Sequence, residues 1–212
     1  MNLQFNKNIP LNVLCLGAHC DDIEIGVGGT LLKIFQEYNI EQITWIVFAS
    51  DEKRKNEAEI SAEKFLMNLE NKKVIVNSFR DGFFPSQWKE IKEYFEKLKF
   101  EISPNLIFTH YREDRHQDHK IISDLTWNTW RNNFILEYEI PKYDGDLGNP
   151  NVYVNLEEKY LAKKNRITLE TFESQRKKHW FDEKTFNALP RIRGLESATQ
   201  FAEAFFARKI LL

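Results

Sequence analysis

Apolar runs of strand length, each followed by a longer stretch of helical period, constrain the fold of this chain more than any other feature. Residues 12–18, 42–49, 73–79 and 105–109 read as strands, and the segments between them carry apolar residues at helical spacing. Successive strands joined through helices pair in parallel, so the expected architecture is α/β: a Rossmann-like three-layer sandwich around a mostly parallel sheet. Helices are expected over 28–38, 52–69, 86–98 and 116–130, with residues 19–26 as a turn before the first of them. A fifth strand is expected over 134–140, a turn-rich loop over 141–150, a short strand over 152–154, a polar helix over 157–178 and a final helix over 197–207. Neither a repeat nor a linker-like stretch interrupts residues 1–212, which are read as one domain large enough to bury a core without disulfides.

Charge and cysteine usage narrow the class. Lys and Arg total 30 against 32 for Asp and Glu, a net charge of -2, so no positive field favours nucleic acid as a partner. Cys15 and Cys20 match neither a disulfide framework nor a paired-thiolate zinc site, and suit a reducing cytoplasm. The first ten residues lack the apolar core of a signal peptide, and no run approaches the roughly 20 apolar residues of a membrane span.

The chemistry is concentrated at two expected strand ends, where a doubly wound sheet binds its ligands. The first segment is His19-Cys20-Asp21-Asp22-Ile23-Glu24-Ile25-Gly26, and the second is His110-Tyr111-Arg112-Glu113-Asp114-Arg115-His116-Gln117-Asp118-His119. Two His and one Asp form a suitable nitrogen and oxygen set for a catalytic zinc, and His19, Asp22 and His119 can supply it. Iron or manganese is also compatible with these ligand types. Asp21 is then free to take a proton from water, and His116 to stabilise an oxyanion or protonate a leaving amine. Asp114 and Asp118 can orient imidazoles by accepting their N–H groups, and Asp81, at the end of the third strand, can hydrogen-bond substrate hydroxyls or open a tight Asp-Gly turn. Asp21 can alternatively cap the following helix. The glycines at 26, 28 and 29 do not fit a dinucleotide fingerprint and are read as close packing. His110 is read as a rim or structural group, His179 as solvated, and the basic run 159–178 as a solvated helix.

Taken together, His-x-Asp-Asp-Ile-Glu-Ile-Gly-x-Gly-Gly-Thr and Glu-Asp-Arg-His-x-Asp-His resemble the LmbE-like, or PIG-L-like, N-acetylglucosamine deacetylases. That resemblance spans about residues 11–130 and returns near Arg193-Gly194 and 201–205. It implies a mononuclear zinc held by His19, Asp22 and His119, Asp21 as general base and His116 as the charge-stabilising histidine. It also implies a substrate-contacting Arg after the second strand, a position taken by Arg54, whose alternative reading is a solvated face. The expected reaction is removal of acetyl from an N-acetylated sugar or sugar conjugate, a small-molecule partner. Two departures stand out: Cys20 replaces a common Pro, and Ala198 replaces a common Gly. The competing expectations are a metal-free nucleotide-binding Rossmann protein and a metal hydrolase of another bond.

Overall fold

In a computed structural model that describes residues 5–210, strands β1 (Leu11–Gly17), β2 (Ile40–Ala49), β3 (Lys72–Phe79), β4 (Leu106–His110) and β5 (Phe134–Tyr138) form the parallel part of one sheet. Residues 1–4 and 211–212, the two ends of the stretch read as one domain, lie outside the described residues. Two further strands, β6 (Val152–Leu156) and β7 (Phe201–Phe206), complete the sheet in the order β3-β2-β1-β4-β5-β7-β6, with β7 antiparallel to both neighbours. Strand order reverses between β1 and β4, and both candidate site segments leave the sheet at the carboxyl ends of these two strands.

Side-chain alternation divides the core into two layers. Val13 and Cys15 of β1, Trp45 of β2 and Phe108 of β4 face one layer, where helices α1 (Asp22–Glu37), α2 (Glu52–Phe65) and α5 (Glu158–Thr171) pack. Leu14 and Leu16, Phe48 and Ile107 face the other, covered by α3 (Trp88–Glu101) and α4 (Gln117–Thr129). The expected three-layer sandwich is therefore the observed one. No described helix is long and apolar enough to cross a membrane.

Three of the expected elements need correction. Helix α1 begins at Asp22, not residue 28, so the stretch read as a turn is mostly helix. Asp22, ionised in its first turn, favours the positive end of the helix dipole. The glycines, poor helix formers, are tolerated because neighbours leave no room for a side chain. A Cβ on Gly26 would lie 2.2 Å from the Tyr138 ring, and one on Gly29 would lie 2.6 Å from Leu156 Cδ1. The polar helix α5 stops at Thr171, short of the expected 178, and is followed by a 3-10 turn over Glu173–Gln175.

The third correction concerns the C-terminal region, where the helix expected over 197–207 is strand β7 and a further helix, α6 (Glu183–Glu196), precedes it. The Phe-Ala-Glu-Ala-Phe-Phe run is rich in helix formers, but pairing with β5 and β6 overrides propensity. Pro190, which reads as a breaker, sits inside α6, while Asp182 caps the helix by accepting from Thr185 N–H at 2.8 Å. The turn from α6 to β7 places Ala198 at φ 56, in the left-handed region that favours glycine.

A buried ion pair ties α1 to this region, and it contradicts the reading of 159–178 as simply solvated. Lys164 on α5 donates to Glu203 Oε1 at 2.7 Å and to Ile25 O at 2.6 Å. Glu203 on β7 accepts from Gly29 N–H at 3.0 Å and Thr30 N–H at 2.7 Å, and both charged side chains are only 4% exposed. Removing one partner strands the other charge in the core. Lys164→Met is expected to lower unfolding free energy by about 3–5 kcal/mol in urea titrations, with Lys164→Met/Glu203→Gln recovering part of it. A loss below about 1 kcal/mol would contradict this account. Ala198→Gly is expected to raise stability by about 1 kcal/mol in the same assay, by relieving the left-handed backbone.

Candidate metal centre

The turn from β1 to α1 brings His19, Asp21 and Asp22 to one point because Asp22 folds back on its own turn, its Oδ2 accepting His19 N–H at 2.6 Å. The β4 segment reaches the same point from the other side. His119, in the first turn of α4, sets its Nε2 3.0 Å from His19 Nδ1 and 3.5 Å from Asp22 Oδ2, and His19 Nδ1 lies 3.3 Å from that oxygen. Donors about 2.0–2.1 Å from a tetrahedral zinc are separated by about 3.3–3.4 Å, so this nearly equilateral triangle fits such an ion.

The remote ring nitrogens are engaged as metal-binding imidazoles require. His119 Nδ1 lies 2.9 Å from Asp114 Oδ2, and His19 Nε2 lies 3.1 Å from Asp81 Oδ1 and 3.3 Å from Asp118 Oδ2. Asp118 is itself fixed by Gly82 N–H at 2.6 Å and Phe84 N–H at 3.1 Å, so the loop after β3 helps to orient His19. Asp81, 59% exposed, opens the turn at Gly82, whose φ is 78, and its carboxylate faces His19.

Electrostatics follow from burial and from these neighbours. Burial opposes protonation of His19, but the Asp22 charge and hydrogen bonds with Asp118, Asp22 and Asp81 outweigh it and raise its pKa well above the usual imidazole value. Burial likewise opposes ionisation of Asp22, and His119, His110 and His19 outweigh it, holding the carboxyl well below its usual range. His119 is shifted downward by burial and by His110, against the pull of Asp22 and Asp114. Asp22 thus stays ionised in the core, and the carboxylates around His19 favour positive charge at that point.

Asp21 occupies the N-cap position of α1 but makes no capping bond. Its Oδ1 instead accepts from Arg54 Nη2 at 2.7 Å, and among the described residues nothing donates to Oδ2. Arg54 arrives because Asp51 caps α2, accepting Arg54 N–H at 2.8 Å, which turns the first turn of that helix toward the site. Its guanidinium is therefore not part of a solvated face. His116 caps α4 and is partly exposed, with its Nδ1 accepting from Asp118 N–H at 3.3 Å. That bond leaves the proton on Nε2, a donor available to a bound molecule. Burial, with His119 and His19 nearby, lowers its pKa below the usual imidazole value.

His110, read as a rim or structural group, is fully buried in the structural role: its Nε2 accepts from Ala18 N–H at 2.9 Å and its ring stacks on His119 with centroids 3.9 Å apart. Lys142, from the 141–150 loop, reaches Asp114 and pairs with Asp146 of the same loop, an arrangement at which only the loop's density of turn formers hinted. Cys20 points away, its thiol donating to Ala49 O at 3.3 Å, and burial pushes it well above the ordinary thiol range. It supplies no ligand.

The family model for PIG-L, GlcNAc-PI de-N-acetylase, matches residues 14–130. Among solved structures, the chain resembles a conserved protein from Thermus thermophilus at 18% identity and TM-score 0.72, covering 95% of this chain and 96% of that one. It resembles N,N'-diacetylchitobiose deacetylase from Pyrococcus horikoshii at 21% identity and TM-score 0.67, covering 97% and 86%. It also resembles the 4-carboxy-2-hydroxymuconate hydratase of Pseudomonas putida at 13% identity and TM-score 0.71, covering 95% and 98%. At such identities these likenesses establish the fold, and one fold hosts several chemistries. The family match takes in β1 through α4 and every residue of the donor triangle: the chain belongs to the PIG-L (LmbE-like) family.

Proposed function

We propose that this protein is a metal-dependent deacetylase that hydrolyses the N-acetyl amide of a sugar or sugar conjugate to acetate and a free amine. The observation that carries this reading is the donor triangle of His19, Asp22 and His119, flanked by a carboxylate with one unengaged oxygen and by an imidazole N–H. A zinc ion held by those three residues would supply Lewis acidity, polarising the amide carbonyl and acidifying water.

The remaining steps belong to the side chains. Arg54 holds Asp21 by Oδ1, which leaves Oδ2 to take the proton of the attacking water as oxygen bonds to the carbonyl carbon. His116 Nε2–H donates to the carbonyl oxygen as it gains negative charge. The C–N bond then breaks, the proton held by Asp21 passes to the departing nitrogen, and the products are acetate and the amine. Asp81 and Arg54, at the mouth of the site and 3.9 Å apart, are the groups we assign to substrate hydroxyls. Asp114 and Asp118 keep the two ligand imidazoles in place.

The deciding experiment joins metal content with acetate release from a panel of N-acetylhexosamines and their nucleotide and thiol conjugates, with and without a chelator. About one metal per chain and chelator-sensitive acetate release are expected. Because a structural relative is a hydratase, metal without acetate release from any member of the panel would count against the reading; tight nucleotide binding without metal would replace it. Division of labour within the site gives a second test. Asp21→Ala should keep its metal and lose about 100-fold or more in kcat, whereas His119→Ala and Asp22→Ala should lose the metal itself. The reverse pattern would refute the assignment of base and ligands.

A further inference from the structure

Asp114 Oδ2 serves two partners. It lies 2.9 Å from His119 Nδ1 and 2.9 Å from Lys142 Nζ, and Lys142 Nζ lies a further 2.5 Å from Asp146 Oδ2. Asp146 Oδ2 also accepts Arg115 N–H at 2.7 Å, one residue along from Asp114. A closed ring of polar contacts therefore runs from the ligand imidazole through Asp114 and Lys142 to the loop at 141–150 and back to the segment that carries His116. Its members are well shielded: the side chains of Asp114, Asp146 and Lys142 are 2%, 6% and 12% exposed.

No other described cation contacts Asp114 and Asp146 together, so without Lys142 the two carboxylates lose the one charge they share at the base of the loop. The loop is otherwise fastened at its far end, where Arg193 Nη2 donates to Gly148 O at 3.0 Å while its guanidinium grips Glu139. Tyr143 and Leu147, between these two anchors, are exposed on the outer side. Lys142 thus fixes the near end of a surface loop to the carboxylate that orients a metal ligand.

We propose that Lys142 is a positioning residue that couples the 141–150 loop to the metal centre, holding Asp114 in the geometry that His119 needs and letting metal binding order the loop in return. The coupling is reciprocal by thermodynamic necessity. Lys142 touches no reacting atom. The inference rests on the donor triangle being a metal site, but on no particular substrate.

The test measures zinc affinity by competition with a chromophoric chelator, and backbone hydrogen exchange over residues 142–149 with and without zinc, in the full chain. In the unmodified protein, zinc should slow exchange in the loop. Lys142→Met should weaken zinc binding by about 10-fold and remove the zinc-dependent protection, and Lys142→Arg should restore both to within about threefold of the starting values. Asp146→Asn, which keeps an acceptor for Arg115 N–H while removing the charge, should remove the protection with a smaller loss of affinity. Circular dichroism and thermal unfolding identify any variant that fails to fold, and Lys142→Arg and Asp146→Asn then carry the test. Zinc affinity and loop protection unchanged in Lys142→Met would overturn the coupling while leaving the deacetylase reading intact. Absence of zinc binding in the unmodified protein would overturn both.

Discussion

A single buried carboxylate organises this molecule. Asp22 Oδ2 receives His19 N–H at 2.6 Å and lies within 3.5 Å of nitrogens from His19, His110 and His119, although its residue is only 4% exposed. An anion taken out of water requires compensating charge, and the compensation here comes from two segments far apart in sequence. Satisfying it draws the ends of β1 and β4 together at the point where strand order reverses. The position of the site is thus a consequence of topology, and its charge a consequence of burial.

Around that carboxylate the molecule separates rigid support from adaptable contact. His110 and Tyr138 form a floor, with Tyr138 Oη donating to Leu16 O at 2.7 Å and lying 3.2 Å from His110 Nε2. The Lys164–Glu203 pair fixes the body of α1, at whose start Asp22 sits. The groups that face outward, Asp81, Arg54 and His116, come instead from a turn and from the first turns or caps of helices, where the backbone ends and side chains have room.

The sequence exposes those parts of this design that depend on neighbours along the chain. Strands β1 to β5 declare themselves by apolar runs. The proposed ligand triad could be picked out because its members cluster within two short segments. What stays hidden depends on partners distant in sequence. Nothing around Gly26 states that Tyr138 will press against it, so the helix start is lost among the glycines. Phe201–Phe206 has the composition of a helix and becomes a strand only because β5 and β6 flank it. Whether His110 lies at a rim or in a structural role is undecided until Ala18 N–H is known to point at it, and Lys142 reads as one basic residue among many until Asp114 and Asp146 are seen on either side.

The insertion of β7 between β5 and β6 has a consequence for the order in which the chain can be assembled. On a ribosome, β5 and β6 emerge well before the strand that lies between them, so the sheet must wait with a gap one strand wide. During that interval Lys164 has no counter-charge and the N–H groups of Gly29 and Thr30 lack the carboxylate they will bond. Every proposed metal ligand has been synthesised by residue 119, yet the helix that begins at Asp22 is braced only once Glu203 arrives. A fragment cut to the two motifs would carry the chemistry without the brace, and the last strand acts as the keystone of a site to which it contributes no ligand.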